Sequence, residues 1–352
     1  MAGSFLVLSD IHLNLWNYGN PRERLDQQIG ALYRALEHAR DANVDAVLFC
    51  GDMFHTQGQV HTLILEELFR VLRHMRFPPE KMLFVAGNHD MVFRDRDNHA
   101  LCILESFGRV ANSPFGAPAS SGRVKFQIPN LPPILAFNYT DRIDTLKARL
   151  DAERLDGALV LLHQGVAGVE VRSKGFVLNE GLTTDMIPSS VFHAFAGHCH
   201  SFCRASPNLT IPGALMQHHF GDVGDPRGAL FVKFDRDGLY MQQLPVSSVR
   251  FVDVPFDPNL HQLHEACLEH CNDFVRVVDV PMARAEEVRR LLPSDMDLRI
   301  RTVSEIESPV HVDAREAVDM ATLFERFVTM NAIDGPRLEV GREILRTGDG
   351  VS

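Results

Sequence analysis

The 352-residue sequence predicts a layered α/β fold, and two observations support that prediction. Short apolar runs alternate with stretches in which apolar residues recur at helical spacing, as they do in βαβ units. Clusters of glycine and proline at 112–122 and 129–133 separate the later runs, and such clusters are typical of surface loops. The alternation begins at Phe5–Leu8 and continues to about residue 248.

The first five predicted elements form a strand–helix–strand–helix–strand series. The strands are the apolar runs Phe5–Leu8, Asp45–Phe49 and Met82–Val85. Helical spacing of the apolar residues predicts the helices at 25–39 and 63–75. Five further strands are predicted at Val124–Ile128, Ile134–Phe137, Ala158–Leu162, Val191–Phe195 and Ala229–Phe234.

The pattern changes near residue 248, where a second, smaller unit is predicted to begin. Strand patterns at 251–254, 274–280 and 298–303 alternate with two helical patterns, which is enough for a small α/β domain. Two more helical patterns follow at 314–331 and 336–346. We therefore predict three domains, at 1–248, 249–308 and 309–352.

The charge composition limits how the protein could bind a polyanionic substrate. The net charge is −11, and residues 249–352 carry 12 basic and 20 acidic groups, a net of −8. This is unlike the basic footprint of a sequence-reading DNA-binding protein, so a polyanionic substrate would need local cations, which metal ions can supply.

Location is also constrained by the sequence. No run reaches the roughly 18 apolar residues of a membrane span, and no signal-peptide pattern opens the chain. The six cysteines are scattered through apolar segments, which favours reduced thiols. We expect a cytoplasmic protein without a membrane partner.

Polar clusters follow five of the predicted strands directly. Because the carboxyl ends of parallel strands meet at one edge of a sheet, the sequence predicts that these clusters converge there. They are Ser9-Asp10-Ile11-His12, Gly51-Asp52, Gly87-Asn88-His89-Asp90, His163-Gln164-Gly165 and Gly197-His198-Cys199-His200.

Carboxylate, carboxamide and imidazole groups together suit divalent ions such as manganese, iron or zinc. Two such ions about 3.5–4 Å apart can stabilise both the attacking and the leaving oxygen in a displacement at phosphorus. One short motif of this kind is weak evidence, but five in order after apolar runs indicate a two-metal site. The predicted ligands are Asp10, His12, Asp52, Asn88, His163, His198 and His200.

The ordered set D-x-H, GD, GNH(D/E), H and GH-x-H resembles that of the calcineurin-like metallophosphoesterases. The resemblance implies a β-sandwich flanked by helices. It also implies that Asp10, His12 and His200 bind one metal, that Asn88, His163 and His198 bind the other, and that Asp52 bridges them. His89 would be a catalytic residue that is not a ligand, and Asp90 would orient the His89 imidazole.

Within that superfamily the chain resembles the SbcD-type nucleases of double-strand-break repair, and most closely the phage-type recombination endonuclease subunit. The residues that carry the likeness are Ser9–Leu13, Gly51–Phe54, Pro212–Leu215, Phe220–Asp222 and Asp225–Gly228. Phosphoprotein phosphatases differ, because they carry Glu after GNH and an arginine shortly after the second motif.

This closer resemblance implies manganese-dependent cleavage of DNA, exonucleolytic at ends and endonucleolytic on single strands, in a bacterial or phage-infected cell. It further implies a nuclease homodimer, a capping domain at 249–308 and a coiled-coil ATPase partner of the SMC type. The chain has no GxxxxGK[ST] loop, so the ATPase would be another polypeptide.

Several alternatives stay open at this stage. A small-molecule or cyclic-nucleotide phosphodiesterase shares all five motifs, and a non-catalytic scaffold can share the fold.

Some residues outside the five motifs are also candidates for the site. His218 and His219 are candidates to line the cleft. The basic residues Arg94, Arg96, Arg172 and Lys174 are candidates to contact a DNA backbone, although no DNA-binding residue is assigned. The role of His55 is also left open. The apolar stripe in 314–331 predicts that the helix-loop-helix tail at 309–352 binds a partner, and packing on the capping domain is the alternative.

Overall fold

The computed structural model describes residues 2–15, 20–92, 98–111, 124–171, 176–224, 227–247, 249–291 and 298–303. In chain order, the first elements are β1 (Gly3–Leu8), α1 (Pro21–Asp41), β2 (Ala46–Cys50), α2 (Thr62–Met75), β3 (Met82–Val85), β4 (Arg109–Val110), β5 (Val124–Phe126), β6 (Ile134–Phe137), α3 (Ile143–Asp151), β7 (Leu159–His163), β8 (Glu170–Val171), β9 (Phe176–Val177) and β10 (His193–Gly197). The later elements are β11 (Cys203–Ser206), β12 (Leu209–Ile211), β13 (Ala229–Phe234), β14 (Leu239–Leu244), β15 (Phe251–Pro255), α4 (Leu260–Leu268), β16 (Phe274–Pro281), α5 (Ala285–Leu291) and β17 (Leu298–Val303). Short 3₁₀ turns lie at Pro79–Lys81, Ala100–Leu104, Thr184–Met186, Phe220–Asp222 and Met282–Arg284.

Two six-stranded sheets form the larger part of the fold. Their strand orders are β14-β13-β1-β2-β3-β4 and β11-β12-β10-β7-β6-β5. The inner strands β1, β2 and β3 pair in parallel in the first sheet, as do β6, β7, β10 and β12 in the second. Parallel pairing places the carboxyl ends of these strands on the same edge of each sheet.

The sheets pack face to face because the apolar strands offer side chains to both sides. In β1, Phe5 and Val7 face the second sheet, whereas Leu6 and Leu8 face the helices. In β7, Leu159 and Leu161 face the first sheet, whereas Val160 and Leu162 face outward. This alternation, which follows from the two-residue period of a strand, produces a β-sandwich with a helical layer on each side.

Helices α1 and α2 cover the first sheet. Asn20 caps α1 by accepting a hydrogen bond from the backbone N–H of Arg22, and Pro21 occupies the first turn. Helix α2 ends at Met75, and the C-cap residue Arg76 adopts a left-handed conformation with a φ of 52°. Helix α3 covers the second sheet through Leu146 and Leu150.

A third sheet, of order β15-β16-β17, has an apolar cluster of its own with α4 and α5. Phe251 and Phe274 stack at 4.7 Å on this sheet, and Phe220 packs edge-on against Phe251 at 5.0 Å. The guanidinium of Arg24, which is buried in α1, lies 5.4 Å from the Phe251 ring and 5.3 Å from the Phe274 ring. These contacts join the third sheet to the sandwich.

The predicted layered α/β fold is confirmed. The strands Met82–Val85, Ile134–Phe137 and Ala229–Phe234 have the predicted bounds. The prediction did not include α3, β4, β8, β9, β11, β12 or β14, which are either only two residues long or mix polar and apolar residues. Residues up to Thr302 form one compact unit, so the division at 248 stays a prediction.

Some predicted features lie outside the described residues. These are the tail at 309–352, the loop at 112–122, and the basic residues Arg94, Arg96, Arg172 and Lys174. Among the described ranges, no helix is long and apolar enough to cross a membrane.

The seam between the two sheets should dominate stability. Phe5 and Phe195 meet there edge to face at 5.8 Å, and neither is exposed. Phe5→Ala should lower the free energy of unfolding by about 3–5 kcal/mol, because it leaves a cavity between rigid strands. Tyr240→Ala, on the exposed face of edge strand β14, should change it by less than about 0.5 kcal/mol. Urea denaturation measures both, and equal effects would contradict this packing.

Candidate metal centre

The five polar clusters meet at one place, but they come from two sheets. Those that carry Asp10, Asp52 and Asn88 follow β1, β2 and β3 of the first sheet. Those that carry His163 and His198 belong to β7 and β10 of the second sheet. The prediction of a single sheet edge is therefore wrong, because the site straddles the seam of the sandwich.

Hydrogen bonds tie the two sheets together at this seam. The ring Nδ1 of His163 lies 2.7 Å from the carbonyl oxygen of Cys50. The backbone N–H of His198 donates to Oδ2 of Asp10 at 3.1 Å. Both bonds link a strand end of one sheet to a strand end of the other, so the relative positions of the polar groups are set by the core.

The backbone of the site is locally strained. Four residues of the site have a positive backbone φ, which residues other than glycine rarely adopt. They are Asp10, His12, Asp52 and His198, with φ values of 50°, 51°, 54° and 97°. Each such residue costs on the order of 1–3 kcal/mol, which persists only where the surrounding packing enforces it. Four of the seven predicted ligands are held in this way.

Glycines allow the strand ends to approach one another. A Cβ on Gly87 would lie 2.1 Å from Oδ1 of Asp52, and a Cβ on Gly51 would lie 2.0 Å from Nδ1 of His163. Both distances are far below van der Waals contact. The glycines of the GD and GNHD motifs therefore make room for the ligands that other strands supply.

One group of possible metal ligands consists of Asp10, His12 and His200. The Nε2 atoms of His12 and His200 face each other at 3.3 Å, and Oδ1 of Asp10 lies 3.9 Å from Nε2 of His12. Oδ1 of Asp10 is buried and has no hydrogen-bond partner among the described residues. A buried carboxylate oxygen without a donor is costly, and a cation would satisfy it.

A second group consists of Asn88, His163 and His198. Oδ1 of Asn88 lies 3.2 Å from Nε2 of His163 and 3.0 Å from Nδ1 of His198. Asp52 stands between the groups, with Oδ2 at 3.3 Å from Nε2 of His163 and 3.6 Å from Nε2 of His12. The chain thus brings together all seven predicted ligands, with Asp52 in a position that suits a bridge.

This donor set fits divalent ions. It combines two buried carboxylates, one amide oxygen and four imidazoles, which are the ligands that manganese, iron and zinc prefer. Burial lowers the pKa of His12 well below its ordinary value, and burial with the nearby His163 lowers the pKa of His198 to about 4. Both rings are therefore neutral at pH 7, as metal ligands must be.

His163 differs from His12 and His198, because its pKa is raised by Asp52. Burial alone would lower the pKa of His163, but the adjacent carboxylate of Asp52 outweighs burial and raises it to about 9. Burial would likewise raise the pKa of Asp52, yet the charge and hydrogen bond of His163 hold it well below its usual range. The two form a buried ion pair that a cation would have to displace.

His89 lies on the wall of the cleft beside this group. Its backbone N–H donates to Oδ1 of Asp52 at 2.9 Å, and its ring Nδ1 lies 2.6 Å from the carbonyl oxygen of His55. The imidazole rings of His55 and His89 stack, with their centroids 4.9 Å apart. The His89 imidazole is thus oriented by His55.

The expected role of Asp90 needs correction. Its carboxylate accepts hydrogen bonds from the backbone N–H groups of Gly87, Met53 and Phe54 at 2.9, 3.3 and 3.0 Å. Burial, reinforced by the charge of Asp52, raises its pKa to about 7. Asp90 therefore orders the turns that carry Asp52 and Asn88, whereas it was expected to hold the His89 ring.

The cleft has a volume of about 180 Å³, and most of its lining residues are predicted ligands. The others are His55, His89 and His219. His219 does not follow a predicted strand, unlike the predicted ligands. Only its residue type indicated that it could lie in the cleft. His218 is buried behind the cleft, with Nε2 at 2.8 Å from the carbonyl oxygen of Asp10.

The chain is similar in sequence to several known proteins. Residues 3–201 match the family described as calcineurin-like phosphoesterase. The chain is similar to the DNA double-strand break repair protein Mre11 of Methanopyrus kandleri, with 25% identity over 66% of this chain and 54% of that protein. It is also similar to one component of the nuclease SbcCD of Staphylococcus saprophyticus, with 21% identity over 69% of this chain and 70% of that protein. The chain thus spans about half the length of the Methanopyrus relative.

The chain is also similar to two solved structures. A dimetal phosphatase from Danio rerio is 15% identical, covers 68% of this chain and 95% of its own, and has a TM-score of 0.45. Yfce, a phosphoesterase from E. coli, is 13% identical, covers 69% of this chain and 100% of its own, and has a TM-score of 0.31.

Asp52 is expected to be essential for metal binding. Asp52→Asn removes the charge shared by both ligand groups, so uptake of two Mn²⁺ ions should be lost while the core stays folded. Calorimetric titration with Mn²⁺ measures this. Asp45→Asn is the matched control, because Asp45 precedes the same strand and contacts Ser4 and Asn130 at its opposite end. Two ions still bound by Asp52→Asn would contradict the bridging role.

Metal binding should release protons. Because Asp52 raises the pKa of His163 to about 9, the His163 ring is protonated at neutral pH, and it must lose that proton to act as a ligand. The apparent Mn²⁺ affinity should therefore rise between about pH 6.5 and about pH 8.5, by up to about tenfold per pH unit for one released proton. Titrations at several pH values, and at neutral pH in buffers of different ionisation enthalpy, measure the release. An affinity that does not change with pH would contradict the His163–Asp52 ion pair.

Proposed function

We propose that the chain, which belongs to the calcineurin-like phosphoesterase family, is a two-metal DNA nuclease that acts in recombination and repair. Membership of the family makes it a metal-dependent phosphoesterase. The observation that carries the proposal is the convergence of the seven predicted ligand side chains, five of which line one cleft that has His89 at its wall. The similarity to the Mre11 protein and to the SbcCD nuclease component supports DNA as the substrate. The proposed activities are exonucleolytic at ends and endonucleolytic on single strands.

In the proposed site, Asp10, His12 and His200 would hold one divalent ion, and Asn88, His163 and His198 would hold the other. Asp52 would bind both ions, and manganese is the proposed metal. When bound, two such ions supply the positive charge that stabilises a phosphate group as it is attacked. This charge also meets the need for local cations in a chain with a net charge of −11.

The residues of the chain then position the substrate and supply a proton. Because the carbonyl of His55 accepts a hydrogen bond from Nδ1 of His89, Nε2 is the ring nitrogen that faces a substrate. In its imidazolium form, Nε2–H can donate a hydrogen bond to the phosphate and transfer the proton to the leaving oxygen. The stack of His55 on His89 fixes the ring plane for this transfer.

His89→Ala should separate binding from chemistry. The variant keeps the backbone N–H that donates to Asp52, so Mn²⁺ uptake should be nearly normal. Cleavage should slow by about 10²–10⁴-fold, the usual contribution of general acid catalysis. His261→Ala, on the exposed face of α4, is the control. Loss of Mn²⁺ binding in His89→Ala would instead make His89 a ligand.

The substrate is tested directly with end-labelled double-stranded DNA, single-stranded DNA and a cyclic nucleotide, each with and without Mn²⁺. Asp52→Asn purified in parallel controls for contaminating nuclease. The proposal expects Mn²⁺-dependent cleavage of DNA and little hydrolysis of the cyclic nucleotide. The opposite preference would favour a small-molecule phosphodiesterase, and no hydrolysis of either would favour a non-catalytic scaffold.

We also propose that the nuclease works as a homodimer with a coiled-coil ATPase of the SMC type, and that the tail at 309–352 binds this partner. Deletion of residues 310–352 should leave a folded protein with Mn²⁺-dependent nuclease activity that no longer binds the cognate ATPase. Co-purification and a nuclease assay measure the two properties. Retained binding, or an unfolded product, would contradict this role for the tail.

A further inference from the structure

We infer that Asp222 is a positioning residue for the metal ligand His200, an inference that rests on the two-metal site proposed above. Asp222 ends the 3₁₀ turn Phe220–Asp222 and is 1% exposed. Its Oδ1 and Oδ2 atoms lie 3.2 and 3.4 Å from Nδ1 of His200. The carboxylate therefore lies against the side of the ring that faces away from the other ligands.

The pairing determines which nitrogen of His200 can bind a metal. An ionised carboxylate only accepts hydrogen bonds, so Nδ1 of His200 must carry a hydrogen in this contact. In the neutral ring the lone pair is then on Nε2. Nε2 is the atom that lies 3.3 Å from Nε2 of His12, on the side of the first ligand group. Asp222 thus selects the tautomer and the ring orientation that a ligand needs.

Asp222 is itself held firmly. The backbone N–H of His218 donates to its Oδ2 at 2.8 Å, and Arg227 lies 3.4 Å from its Oδ1. Its own carbonyl oxygen accepts a hydrogen bond from the side chain of Gln217 at 2.9 Å. A carboxylate with this many donors can orient an imidazole without moving when the metal binds.

The segment around Asp222 is also anchored from two directions. Arg24 of α1 donates to the carbonyl oxygen of Gln217 at 2.7 Å, and the side chain of Gln217 accepts from the backbone N–H of Phe251 at 2.7 Å. Arg276 of the third sheet lies over the Phe220 ring at 4.7 Å. The orientation of one metal ligand therefore depends on packing between α1 and the third sheet.

A purely structural role makes a different prediction from a positioning role. If Asp222 only ordered its own turn, its loss would lower stability and weaken both metals alike. If it positions His200, its loss should weaken one metal only, and only through His200. Binding of Mn²⁺ alone to the full chain distinguishes the two, independently of any DNA substrate.

The experiment is a calorimetric titration of Mn²⁺ into the wild type, Asp222→Ala, His200→Ala and the double variant. Asp222→Ala should weaken one of the two binding steps by about 10–100-fold, the usual effect of removing a partner of a metal-binding histidine. It should be the step that His200→Ala weakens, and the double variant should lose little more than His200→Ala alone. If Asp222→Ala does not fold, Asp222→Asn is used, and a smaller loss at the same step is expected.

Glu67→Ala is the matched control, because Glu67 is a buried carboxylate with two arginine partners, Arg22 and Arg70, between α1 and α2. It should leave the affinities of both Mn²⁺ binding steps within about twofold of the wild type.

Three results would overturn the inference: equal weakening of both binding steps by Asp222→Ala, additive losses of affinity in the double variant, or Mn²⁺ binding by Asp222→Asn that is unchanged from the wild type. A wild type that takes up no Mn²⁺ would overturn the metal site as well. Normal Mn²⁺ results with no cleavage of DNA would refute only the nuclease proposal.

Discussion

The structure depends on two carboxylates, Asp10 and Asp52, that are buried where the two sheets of the sandwich meet. Burying a charge is costly unless an opposite charge or several donors compensate it. The protein's own groups compensate these charges only in part, because Asp52 pairs with His163 while Oδ1 of Asp10 has no hydrogen-bond partner among the described residues. Divalent ions would complete the compensation of these two charges. The same two carboxylates would therefore set both the charge balance of the core and the proposed chemistry.

The need to bring charged and polar groups together at the seam accounts for the unusual backbone of the strand ends there. The proposed ligands approach from both sheets, and the strand ends carry glycines at 51 and 87 and residues with a positive φ such as Asp10 and Asp52. The apolar seam of Phe5 and Phe195 lies behind them and holds both sheets in place. Strain at the ligands is thus supported by packing in the core.

The sequence was sufficient to predict the strands that carry the proposed ligands, because buried parallel strands are continuous apolar runs and their ends are marked by polar motifs. It could not show that the strands belong to two sheets, since β3 and β7 have the same apolar pattern. The partner of the His89 ring was also mistaken. Asp90 is its neighbour in sequence, but the turn directs that carboxylate to backbone N–H groups, and a carbonyl from the β2 loop takes its place. Asp222 lies 22 residues from His200, so its contact depends on tertiary packing alone.

The central claim is that the two ligand groups bind two ions with Asp52 between them. Anomalous X-ray diffraction at the manganese edge, from crystals of the full chain grown with Mn²⁺, tests it most directly. The account predicts two peaks in the cleft about 3.5–4 Å apart, one beside Asp10, His12 and His200 and one beside Asn88, His163 and His198, with Asp52 in contact with both. A single peak, or two peaks of which Asp52 contacts only one, would contradict it.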